Sequence, residues 1–574
     1  MKKNDAPRDR ELPQMIGLLL KALELRKKYM RVSLQNKRWQ SNLPKTPLST
    51  VYTEEGFQLE GDTVDIPTAE DFFNDVELIS KLVHNGPLKT FCFQRLENLE
   101  LQFKMHVNMH SGQERAEQKT ISSKDIYTVV KADTHIHHSA SMNSKKLLQF
   151  IKKKLRESPN DIVHRGSKEY TLQSVFLQLN KTSDNLCVDS LDTHSNLDTF
   201  HRFDRFNSKY NPYGLPRLRE IFLKHDNHID GAYLAEITKE LIEETEDKEY
   251  LKCEWGISIY GKKKTELAIL SEWCSRYAIA SSSVGWYIQV PRLYGLFKGY
   301  AQVTSFAEFL YNVFSPIIED SEDLSTNPAI TAFLQTVGGL DSVDDESVKD
   351  KKNDLEKASP TKWTHDDNPP YSAYLYQMFY HICIINRVRA SRGKNIFIFR
   401  PHSGESGDTE HLISAFLTAQ SIAHGVKLRK SPVLQYLFYL CQIGISMSPL
   451  SNNSLFLDYK KNPFPQFFNR GLNVCLSTDD PLQFHYTREP LMEEYSIAAQ
   501  IWKLSSCDQC EIARNSVLIS NFSKDLKESW IGEYQKDGRL VNDPSKTNVP
   551  PTRFEYRERR ITEEYKLLGK HVLQ

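Results

Sequence analysis

The chain has 574 residues, 39% hydrophobic and 26% charged, with 29 Phe and 26 Tyr; that is enough apolar mass for a real core and excludes wholesale disorder. Lys plus Arg and Asp plus Glu both number 74, so the overall balance gives no electrostatic reason to expect nucleic acid or a membrane surface as a partner. No apolar run reaches 18 residues and the start MKKNDAPRDR leads to no small-residue cleavage site, so neither a membrane span nor a secretory leader is expected.

In chain order, the first predicted element is a helix. Met15, Leu18, Ala22, Leu25 and Tyr29 recur at steps of three and four, with Arg26, Lys27 and Lys28 elsewhere on the wheel. Residues 1–45 carry 12 basic and 4 acidic side chains, so this is a basic amphipathic helix that packs on the main body or a second subunit, or serves a membrane-surface or regulatory role. Residues 1–124 read as an N-terminal extension. From about residue 127 the pattern changes to short β-rich runs at 127–132, 251–259, 284–290, 395–399, 423–426, 443–447 and 473–477, with an eighth expected within 171–190. Segments such as 263–280 and 371–390 are long enough for helices between them. That alternation predicts an α/β fold, a (β/α)8 barrel of the TIM type over 125–550, rather than an open sheet. The stretch 319–367 holds 13 acidic and 5 basic residues with Gly338 and Gly339, and is expected as an acidic insertion in one crossover. Residues 551–574 read as a helical C-terminal tail. The nine cysteines are scattered, which fits a reducing compartment, and Cys507 and Cys510 lack a second pair and read as two thiols on one helix face.

Four of the run ends carry chemistry. The first leads into Ala132-Asp133-Thr134-His135-Ile136-His137-His138, where strand alternation puts His135 and His137 on one face, able to converge on a metal. The fourth named run leads into Arg400-Pro401-His402-Ser403-Gly404-Glu405, a histidine at a strand end followed by a carboxylate on a glycine-rich turn. His424-Gly425 and Leu476-Ser477-Thr478-Asp479-Asp480-Pro481 terminate two more. Each alone reads as a buried histidine or a helix cap, but in a parallel barrel all such ends open on one face. His135 and Asp479 lie on first and last strands, which become neighbours on closure. A site of three His and one Asp suits zinc, with iron left open, and such a metal lowers the pKa of water towards ~7. Glu405 then has the position of a proton donor, and His424 with Asp479 can hold and deprotonate an attacking water, a constellation for hydrolysis at an electrophilic carbon. The segment from His201 to Pro212 interleaves Arg202, Arg205 and Lys209 with aromatics and has only Asp204 to pair them; it is either a solvated basic face or a phosphate contact.

KADTHIHHSASMN, DTFHRFDRFNSKYNP, RPHSGESGD, MSPLSNNSLF and STDDPLQFHYTREPLMEEY together resemble the AMP deaminase family of the adenosine deaminase superfamily, from about residue 125 to 550, with a weaker echo at YMRVSLQ. The resemblance implies hydrolysis of AMP to IMP and ammonia by a cytoplasmic oligomer, a dimer or tetramer open to nucleotide effectors. It makes His135, His137, His402 and Asp479 the metal ligands, with His137 also close to substrate. Glu405 would protonate purine N1, and His424 would orient the nucleophile against C6. Asp480, Pro481, Leu482 and Gln483 would contact the substrate, and Arg205, Phe206, Asn207, Ser208, Lys209 and Tyr210 would approach its nucleotide part. Ser403 stands where the family pattern has Cys and Arg205 where it has Lys; the first removes no ligand and the second keeps the charge. The alternatives are a deaminase of the free nucleoside and an inactive regulatory relative. The HxE and PCxxC pattern of the other zinc deaminases is absent.

Overall fold

Val284–Pro291 is buried along nearly its whole length, the pattern of a parallel strand covered on both faces. It is one of a closed set. In this computed structural model, which describes residues 8–35, 46–53, 56–61, 64–121, 124–165, 168–191, 193, 216–350, 359–455 and 457–569, the strands are β1 (Lys131–His137), β2 (Leu251–Ser258), β3 (Val284–Pro291) and β4 (Val337–Val343). They continue as β5 (Ile398–Phe399 with His402–Ser403), β6 (Ser421–His424), β7 (Gly444–Met447) and β8 (Val474–Leu476). All neighbouring pairs are parallel and follow chain order. β5 is interrupted at Pro401, which has no N–H to donate, yet the ladder continues across the break through Arg400 N to Leu340 O (3.0 Å) and Ala423 N to Pro401 O (3.0 Å). The barrel closes where Asp479 N donates to His135 O and His137 N to Asp479 O, both at 2.9 Å. The arrangement is the expected (β/α)8 barrel, with the largely buried Tyr371–Ser391 helix among those on its outside.

Three expectations shift. The first run lies too early: Asp125 and Thr128 bind each other's backbone in a turn, and β1 starts at Lys131. The eighth strand is not in 171–190, where Leu172–Gln178 and Val188–Leu191 are helical. It is β4, inside the stretch 319–367 expected as an insertion, which also holds the helix Pro328–Thr336. Gly339 sits within β4 because an added Cβ would lie 2.2 Å from Ile398 O on β5.

The N-terminal residues wrap the barrel. α1 (Arg8–Ser33) buries Leu19, Ala22, Leu23 and Tyr29, while Met15, Leu18 and Leu25 pack partly buried against the core. Arg26, expected on the polar side, is buried and donates to Phe416 O on an outer barrel helix, so the main body covers this face. α2 (Ala69–His84) starts with a capping box between Thr68 and Asp71. α3 (Gly86–Ile121) carries the helix Pro551–Leu567, held by the buried fork of Arg553 on Glu114 (2.7 and 3.0 Å). Cys507 and Cys510 are both buried on the helix Ser506–Ile519. No helix among the described residues is long and apolar enough to cross a membrane.

Candidate active site

The strand ends deliver the chemistry to one mouth. Donor atoms of His135, His402, His424 and Asp479 all lie within 4.8 Å of one another, as do those of His137, Asp479 and Asp480. His135 Nε2 stands 3.0 Å from His402 Nε2 and 3.7 Å from Asp479 Oδ1; His137 Nε2 is 3.3 Å from the same Oδ1. Asp479 belongs to both groups. Its own backbone closes the barrel, which fixes its carboxylate against β1, and Ser451 Oγ donates to its Oδ2 at 2.6 Å. His424 and Asp479 have left-handed backbones (φ 68 and 62), each costing about 1–3 kcal/mol for a residue with a side chain. Glu405 follows β5 on the turn opened by Gly404 and presents Oε2 3.8 Å from His424 Nε2. Pro481, Leu482 and Gln483 form the buried short helix Pro481–Phe484 beside Asp480. Arg205, Phe206, Asn207, Ser208, Lys209 and Tyr210 lie outside the described residues. His138 does not join: its Nε2 pairs with Thr238 Oγ1 at 2.9 Å and its ring packs against Trp255 and Trp286.

Around these groups the protein supplies anchors that the sequence pattern did not reveal. Asp341, on β4, accepts from His402 Nδ1 (3.0 Å) and from Gln289 Nε2 (2.7 Å), whose Oε1 faces His137 Nδ1 at 3.0 Å. A carboxylate only accepts, so it sets the Gln289 amide with its oxygen towards His137, which must then donate from Nδ1 and would meet a metal through Nε2. One aspartate thereby sets the tautomers of two histidines. Gly256 makes room for this relay, since a Cβ there would come within 2.4 Å of the Gln289 amide. Asp341→Asn, which can no longer accept from both partners, should weaken metal binding by ~10–100-fold while the fold persists. Titration with a competing chelator, alongside thermal melting, checks it.

The electrostatics favour a cation. Burial works against a charged His137, yet Asp480 and Asp479 outweigh it and raise it to about 10. His402 is raised despite burial by Asp341, and Asp479 is held well below the usual carboxylate range, burial being outweighed by the surrounding imidazoles. His135 and His424, by contrast, are pushed down by burial, His424 to about 4, so both are neutral imidazoles at pH 7. Among the described residues, His135 Nδ1 and His424 Nδ1 are buried without a hydrogen-bond partner. Nitrogen and oxygen donors without thiolate, orphaned ring nitrogens and clustered carboxylates all fit a borderline divalent metal.

The fold and site together define a parallel eight-stranded α/β barrel whose C-terminal strand ends gather His and Asp side chains that could hold a metal ion, the place where such barrels carry their active sites. More narrowly, the chain belongs to the AMP deaminase family, whose model matches residues 45–574 and so takes in most of the N-terminal helices. AMP deaminase of Dictyostelium discoideum is 51% identical over 507 residues, 88% of this chain and 64% of its own length. AMP deaminase of Arabidopsis thaliana is 50% identical over 516 residues, 89% of this chain and 62% of its own length. The chain thus spans a little under two thirds of these relatives. An Arabidopsis N6-mAMP deaminase of solved structure overlays 70% of this chain and 97% of its own at 12% identity, with a TM-score of 0.43; the fold assignment rests on strand order instead.

Proposed function

We propose that the protein hydrolyses AMP at purine C6 to give IMP and ammonia. The observation that carries this reading is the meeting, at one barrel mouth, of a His/Asp cluster with Glu405 and His424 as adjacent proton-handling groups. His135, His137, His402 and Asp479 would hold the metal, zinc by donor type. The anchors support two of these ligands: a ligating histidine usually has its other ring nitrogen held, as His137 is by Gln289 and His402 by Asp341, whereas His135 and His424 alike have an unpartnered Nδ1 among the described residues, and the choice of His135 over His424 rests on the family resemblance. When bound, the metal supplies Lewis acidity that makes water a stronger nucleophile at neutral pH. Buried and neutral at pH 7, His424 can accept a proton from attacking water and aim it at C6. Glu405, in its acid form, delivers a proton to N1, which draws electrons from C6 and opens it to attack. Asp480, Pro481, Leu482 and Gln483 would contact the substrate, a role that rests on the family resemblance. Free thiols at all cysteines support a cytoplasmic setting, and assembly as a homo-oligomer and response to nucleotide effectors rest on the family resemblance alone.

Discrimination of nucleotide from nucleoside falls to Arg202, Arg205 and Lys209, of which each phosphate contact could contribute ~1.5–3 kcal/mol. Lys209→Met keeps much of the apolar stem and deletes the charge, so kcat/KM for AMP should drop while the poor value for adenosine barely moves. Steady-state rates on both substrates decide it, and equal losses would assign Lys209 to the fold.

A further inference from the structure

The acidic stretch after β4 is not an appendage, because it reaches the turn that carries Glu405. Glu346 is 2% exposed, and its two carboxylate oxygens accept from consecutive backbone amides, Gly404 N (2.8 Å) and Glu405 N (2.9 Å). His411 Nδ1 meets the same carboxylate at 2.9 Å, and its Nε2 lies 3.5 Å from Asp350. Asp350 in turn pairs with Arg292, which also holds Asp344 at 2.8 Å. The backbone on both sides of Glu405 needs such a hold. Gly404 and Gly407 adopt φ of 72 and 65, and glycines move readily between basins unless packed. The contact is close on the far side too: a Cβ on Gly407 would sit 1.9 Å from Glu346 O.

We infer that Glu346 is a positioning residue for Glu405: a carboxylate clamp on the amides of Gly404 and Glu405, steadied by His411, that fixes the direction in which Glu405 presents its carboxyl group. The inference rests on the reading of Glu405 as proton donor. One backbone amide per oxygen makes the clamp bidentate, so it restrains the peptide plane between the two residues as well as its distance. A shift of about 1 Å at such a group is enough to cost ~100-fold in rate.

Glu346→Gln keeps size but turns one acceptor into a donor facing an N–H or His411. Turnover on AMP should fall by ~10–100-fold with KM and metal content close to wild type. The double variant with Glu405→Gln should be no slower than Glu405→Gln alone, since a residue acting only through Glu405 has nothing left to position. Amide exchange of the 404–405 peptide, followed by mass spectrometry, should accelerate in Glu346→Gln while that of α3 is unchanged. If Glu346→Gln does not accumulate as folded protein, His411→Asn carries the same comparisons with Glu346 retained. Unchanged exchange at 404–405, losses that multiply in the double variant, or loss of metal would overturn the clamp. Full turnover by Glu405→Gln would instead sink the proton-donor reading, and the exchange result would still judge the clamp on its own.

Discussion

His402→Ala loses metal and turnover together. The imidazole it deletes is the one that stands 3.0 Å from His135 Nε2 and is held from behind by Asp341. Its loss removes a metal donor and leaves the buried Asp341 carboxylate short of one hydrogen-bond donor, a change that costs about 1–3 kcal/mol. Activity should fall to background, and elemental analysis of the same preparation should show less metal per chain. Asp341 can still receive His402's backbone N–H at 3.1 Å, so strand β5 should keep its register and the protein should remain folded. A variant that retained full activity with no metal would remove His402 from the site.

Glu405→Gln separates chemistry from binding. The amide has the shape of the carboxylic acid and keeps the backbone contacts to Glu346, but it cannot deliver a proton to N1. Turnover should fall by ~100-fold or more, with metal occupancy kept and KM little altered, because the lost interaction belongs to the transition state. Since Glu405 Oε2 is 3.8 Å from His424 Nε2, any residual rate would come from His424 and the metal site alone. Normal turnover would take Glu405 out of the mechanism.

Much of this site is legible in the sequence because strand ends in a parallel barrel share one face. His135, His402, His424 and Asp479 each close a β-rich run, and topology alone then brings them together. β4 escaped for a physical reason: Val-Gly-Gly-Leu-Asp-Ser-Val has two glycines and an aspartate, the composition of a loop, and is held as a strand by burial between β3 and β5. Missing β4 also hid Asp341 within it and Glu346 just beyond. Gln289 was within a predicted run, but nothing in a strand's periodicity tells an inward glutamine that orients a histidine from one that is merely buried. Arg26 misled in the other direction. Helical spacing placed it with the lysines, whereas Phe416 receives the guanidinium inside with both its carbonyl oxygen and its ring.

The most direct test is ammonia release from AMP and from adenosine by the purified protein, with metal per chain determined on the same sample. The account predicts one metal per chain, turnover that rises and falls with its occupancy, and a kcat/KM for AMP far above that for adenosine. Metal-replete protein that is inert on AMP, or that treats the two substrates alike, would contradict it.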